Sequence, residues 1–168
     1  MSTQPSPTIQ HLKDEISYTR YLSIWNRIVR YPDNRIIEWD VVGHDVPNPC
    51  FSVTFPFDTI NKTTTMVCEY AQGPHERMYS FAAGGYDKSK HATILDTAQQ
   101  ELSEEARLTG GKWVWLLEKE HEGISELKWS RNRFMPFLVL DPVVDNQPLS
   151  RDAEDDWQHS ESVDTPNK

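Results

Sequence analysis

One stretch of this sequence is clearly helical in its periodicity, and several stretches around it are patterned for short strands. Across residues 94–108, Leu95, Ala98, Leu102 and Ala106 recur at spacings of three or four, which makes a single apolar stripe. Asp96 falls in the first turn, and Gly110-Gly111 supplies a stop. The β-branched, aromatic or alternating stretches 25–31, 36–42, 51–55, 65–70, 78–83, 113–117 and 134–140 predict strands. In the second of these, Ile37, Trp39 and Val41 share a face, and Pro32-Asp33-Asn34 provides turn chemistry before it. Pro136 predicts a sheet edge or a bulge for the last one. Many strands around at least one core helix point to an α/β sandwich with a mixed sheet.

The chain has 168 residues, which suits one domain with a core of ordinary size. Residues 1–14 read as a flexible polar lead and 15–149 as the folded domain. Residues 150–168 read as an acidic polar tail, mostly disordered, because Trp157 and Val163 are its sizeable apolar residues. With 26 acidic residues against 17 basic ones, the formal net charge is −9, which disfavours duplex nucleic acid and anionic membranes as partners. No apolar run approaches the roughly 20 residues that span a bilayer. The first residues, with Asp14 and Glu15, resemble neither a secretory signal nor a transit peptide. Cys50 and Cys68 are too few for a disulfide framework, and the expected location is the cytoplasm.

Glu101, Glu104 and Glu105 stand at i, i+3 and i+4 on the helix, so they converge on one narrow face beside the apolar stripe. Like charges at this spacing disfavour a helix by a few tenths of a kcal/mol per pair. Two readings follow: a solvated acidic face, or carboxylates gathered to share a hard divalent cation, since Mg²⁺ takes oxygen ligands and shares itself with phosphates. The surrounding residues favour the second. Gly84-Gly85 follows a predicted strand, and the acidic helix comes after a short loop. Ala82-Ala83-Gly84-Gly85, then Gln100-Glu101-Leu102-Ser103-Glu104-Glu105, resembles the Nudix box, with Glu101 to Glu105 matching its diagnostic core. The resemblance is specific over residues 82–108. It extends more weakly over about 20–142, where the strand order is similar to that of the ADP-ribose pyrophosphatase branch.

That resemblance implies a Nudix-type α/β/α sandwich with a mixed β-sheet, and Mg²⁺ (or Mn²⁺) as cofactor. It implies metal contacts from Glu101, Glu105 and the carbonyl oxygen of Ala83, with Glu104 on a second ion or on the attacking water. It also implies a general base from a late loop. Glu154, in the acidic run 151–156, is the candidate, against the alternative that this run is only a charged tail. Trp25 and Trp39 occupy strands like those that supply stacking tryptophans, from two subunits of a domain-exchanged homodimer; the alternative is ordinary sheet packing. Arg77 and Arg131 are candidates for phosphate contacts, and Lys88-Ser89-Lys90 is either an anion contact or a solvated loop tip.

Several positions depart from the box. Gln100 stands in place of its arginine, and His91-Ala92 near that arginine's usual glutamate partner. The loop is enlarged over residues 88–95, Arg107 replaces the final glycine, and residues 150–168 are too polar and short for the usual last strand and helix together. Ala71 and Ser80 replace an arginine and a glutamate that the ADP-ribose branch often has near its substrate. The expected function is Mg²⁺-dependent hydrolysis of a pyrophosphate bond in a small nucleotide-derived substrate of the ADP-ribose or ADP-sugar type. The alternative is a non-catalytic nucleotide-binding or regulatory module on the same fold. Recognition of capped RNA is disfavoured by the acidic balance.

Overall fold

A computed structural model describes residues 8–151 and 159–164. These fall into two compact units, one drawn from Met1–Pro49 with Ser125–Arg133, the other from Cys50–Ile124 with Phe134–Lys168. The sequence suggested one domain; the division arises because the first three strands pair among themselves in a separate sheet.

In the first unit, β1 (Gln10–Thr19), β2 (Ser23–Arg30) and β3 (Ile36–Gly43) form an antiparallel sheet in that order. β1 begins inside the stretch expected to be a flexible lead. Its polarity is that of an edge strand whose charges find partners: Asp14 lies opposite Arg27 and receives its guanidinium at 2.7 and 2.8 Å. Segment 125–133 is clamped on β3 by Val42 N–H to the Trp129 carbonyl, 2.9 Å, and Arg131 N–H to the Val42 carbonyl, 2.8 Å. Gly43 permits this approach, since a Cβ there would stand 2.9 Å from Asn132 Oδ1 and 3.0 Å from Arg131 Cβ.

The second unit holds β4 (Cys50–Asp58), β5 (Thr63–Ala71), β6 (Glu76–Ser80) and β7 (Ala83–Gly85) before the helix α1 (Ile94–Glu104). After it in the chain come β8 (Leu108–Thr109), β9 (Lys112–Trp115), β10 (Ile124–Ser125), β11 (Arg133–Leu140), β12 (Val143–Val144) and β13 (His159–Asp164), of which Ser125 and Arg133 fall in the first unit. The main strand order is β10-β11-β4-β5-β13, with β6 on β5, β7 on β4 and β9 on β11; β8 and β12 pair separately. β11 therefore lies inside the sheet, not at its edge. Pro136 is tolerated because the ladder with β9 starts only at Phe137.

Six residues of the expected tail form β13, an antiparallel neighbour of β5 from His159↔Cys68 to Asp164↔Thr63. Among the described residues α1 is the one α-helix, so the molecule is mostly strand. It is not long and apolar enough to cross a membrane.

The expected helical stripe faces the core. Leu102 and Ala106 pack with Val67, Ala82 and Val139, and Ala98 packs with Met135 and Phe137, with Leu95 partly buried beside them. Trp113 and Trp115 meet Phe137 edge-on, at 6.0 and 4.8 Å between ring centroids. α1 starts with a capping box, Thr93 accepting from Asp96 N–H while Asp96 accepts from Thr93 N–H. It ends earlier than the sequence suggested. The C-cap is Glu105, and Arg107 turns the chain with φ +58°, before Gly110-Gly111 is reached.

Candidate functional site

The acidic residues of α1 come to lie against β7. β7 pairs with β4 through Phe51↔Gly85, Ser52↔Gly84 and Val53↔Ala83, which fixes its backbone against the sheet. The N–H of Ala83 donates to Glu105 Oε2 at 2.9 Å. Glu101 occupies the space over Gly84, where a Cβ would stand 1.7 Å from Oε1, 2.1 Å from Cδ and 2.7 Å from Cγ. A side chain at position 84 would thus displace most of the Glu101 side chain and not just its tip. Two carboxylates from successive helical turns are in this way brought to the backbone of two consecutive residues. Glu104 is half-buried, as are Glu101 and Glu105.

The donors offered here are oxygens alone, the set a hard cation such as Mg²⁺ takes. Among the described residues, however, no three His, Cys, Asp or Glu side chains are grouped so as to hold a metal ion by themselves. Glu105 spends an oxygen on Ala83 N–H, and repulsion between carboxylates opposes closer approach. The arrangement fits Mg²⁺ in its usual manner, bound through one or two carboxylates and completed by water and substrate phosphate.

The bracing of this site differs from the box and is itself informative. Where the box has an arginine paired with a glutamate, His91 Nε2 and Gln100 Oε1 form a hydrogen bond of 3.0 Å that ties the enlarged loop to the helix. Arg107 adopts a left-handed backbone, a conformation that glycine takes most readily, and its guanidinium donates to the Leu149 carbonyl at 2.7 Å. Arg151 caps the helix, donating to the carbonyls of Glu104 at 3.2 Å and Glu105 at 2.9 Å. Ser103 donates to Asp145 at 2.7 Å, and this hydrogen bond, with one from Gln147 N–H, lowers the Asp145 carboxyl below the usual range. Ser103, Asp145 and Arg151 did not stand out in the sequence as bracing residues. They act through contacts across more than forty positions, which no local pattern reveals.

The remaining candidates belong to both units. Trp25 is buried, at 4% exposure, with the Arg131 guanidinium 4.3 Å over its ring, so one face of that indole is already taken. Trp39, opposite Arg27 on β3, is 50% exposed. Arg77 is exposed on β6, and Lys88-Ser89-Lys90 form an exposed turn organised by Asp87, which accepts from the Ser89 N–H and hydroxyl. Ser80 donates to Glu69 at 2.5 Å. Glu154 lies outside the described residues.

In structure the chain is similar to a crystal structure of an ADP compounds hydrolase, with a TM-score of 0.71 and 15% sequence identity, over 96% of this chain and 80% of that one. No family model matches the chain, and no curated protein matches it in sequence. At that identity the likeness is one of fold: a Nudix-like α/β fold, with a mixed sheet and a single described helix.

Proposed function

We propose that this chain, built on a Nudix-like fold, hydrolyses a pyrophosphate bond in a nucleoside diphosphate linked to another moiety, of the ADP-ribose or ADP-sugar type. The observation that carries this reading is the seating of Glu101 on Gly84 and of Glu105 on the Ala83 N–H. A solvated acidic face needs neither contact. The fold likeness to an ADP compounds hydrolase supports the substrate class.

In this reading Glu101 and Glu105, with the Ala83 carbonyl, hold Mg²⁺, or Mn²⁺ in its place. When bound, the ion neutralises phosphate charge and polarises the phosphoryl oxygen. Glu104 orients the attacking water, Glu154 is the candidate to accept its proton, and Trp39 offers an exposed ring for stacking on a base. Trp25 is assigned the supporting role that its burial under Arg131 suits.

A second reading, a nucleotide-binding module without turnover, draws on the lack of three grouped metal-binding side chains among the described residues. Incubation with Mg²⁺ and a panel including ADP-ribose, ADP-glucose, NADH and dinucleoside polyphosphates separates the two. We expect Mg²⁺-dependent cleavage that falls on the order of 10²-fold or more in Glu105→Gln. The thermal midpoint should be retained, since glutamine can still accept from Ala83 N–H. Saturable binding without cleavage would establish the second reading.

A further inference from the structure

A pocket of about 240 Å³ opens in the first unit, and its lining is basic. Arg27, Arg131 and Arg133 contribute to its wall together with Asn48, Ser125 and Ser130, and among the described residues no acidic one does. Arg131 and Arg133 bring two guanidinium groups to the same small space as Arg27, which Asp14 already pairs, and on a chain of net charge −9 this local concentration of arginine favours an anionic ligand. We propose that this pocket binds a phosphate-bearing anion.

The arginines are held in place before any ligand arrives. Arg27 is fixed by the two hydrogen bonds to Asp14. Arg131 lies over the Trp25 ring, and its nearest carboxylate, the exposed Asp45, is 4.0 Å away, the outer limit of an ion pair. The Arg133 N–H donates to the Pro49 carbonyl at 2.9 Å, and Arg131 N–H is bonded to β3, so both arginines stand on anchored backbone. Planar guanidinium forks held in this way match the paired oxygens of phosphate better than a point charge does. The two serines are engaged already: Ser130 donates to Glu126 at 3.0 Å, and Ser125 donates to the Leu127 carbonyl at 2.9 Å. They shape the wall, and the arginines supply the attraction. The volume is below the roughly 300–1,000 Å³ of pockets that take a whole drug-sized ligand, so it suits a phosphate or diphosphate group.

The test is isothermal titration calorimetry of the full chain with inorganic pyrophosphate in EDTA at low salt. Those conditions remove any metal-dependent contribution from the carboxylates of α1, so the result stands apart from the hydrolase reading. A parallel titration with AMP distinguishes a free diphosphate from a phosphate carried on a nucleoside. Saturable binding of either ligand, weakened at least about tenfold in Arg131→Gln and in Arg133→Gln and unchanged in Glu105→Gln, supports the site. Arg131→Lys serves as a folding control that keeps the charge. No saturable binding of either ligand, or equal affinity in both arginine variants, overturns the proposal. If Arg131→Gln does not fold, Arg133→Gln decides alone.

Discussion

Glycine at position 84 leaves room for one carboxylate, and that room is specific. Because an added Cβ would reach Glu101 as far back as Cγ, Gly84→Ala forces the glutamate off the β7 backbone. Turnover in the assay above should then fall on the order of 10²-fold while far-UV circular dichroism stays unchanged. Retained activity would show that Glu101 works from another rotamer. The sequence showed both Gly84 and the three glutamates, because helical spacing is a local signal. It did not show that Glu105 receives the Ala83 N–H, because that contact depends on β7 pairing with β4. Asp14 presents the same contrast. Read alone it was one polar residue in a lead; in the sheet the Arg27 guanidinium holds its carboxyl well below the usual carboxylate range. A depressed folded value means that the stabilisation is fully present above the unfolded value, about 3.9, and is lost as pH falls through the lower folded one. The thermal midpoint of Asp14→Asn should therefore lie below that of the parent at pH 7, and the gap should narrow as pH drops below about 4. A gap independent of pH would assign the loss to packing.

The helix α1 is fastened by different chemistry at its two ends. At the start, Thr93 and Asp96 exchange hydrogen bonds, and Thr93→Ala should cost about 1 kcal/mol in urea denaturation. At the other end the carbonyls of Glu104 and Glu105 are met by Arg151, and Arg151→Met should cost a comparable amount, about 1 kcal/mol. An unshifted urea midpoint in the second variant would mean that water replaces the cap at no loss. The sequence made the helix and its buried face legible, since Ala98, Leu102 and Ala106 keep their period to the end. Its termination was misread for a physical reason. The apolar stripe continues to Ala106 after the helical hydrogen bonding has stopped, and the left-handed turn falls on Arg107, a residue type that rarely signals one.

For the molecule as a whole, the strands of the central sheet were visible in their alternation, whereas its margin was not. β13 reads His159-Ser160-Glu161-Ser162-Val163-Asp164, with too little apolar content to suggest a strand. It forms because β5 offers it a ladder from Thr63 to Cys68, and Tyr79 on β6 donates to Glu161 at 2.8 Å. Ending the chain after Arg151 should leave the helix cap in place but bare the β5 edge. The truncated protein should scatter light at concentrations where the parent stays clear, because an unpaired strand edge recruits other chains. Equal clarity would show that β5 is protected without its neighbour. Timing matters to this edge as well. Roughly ninety residues separate Ala71, where β5 ends, from His159, where its partner begins. On a ribosome adding about 5–20 residues per second, β5 waits roughly 5–20 s for the strand that covers it. During synthesis the nascent chain therefore carries an open β-edge for longer than many small domains need to fold.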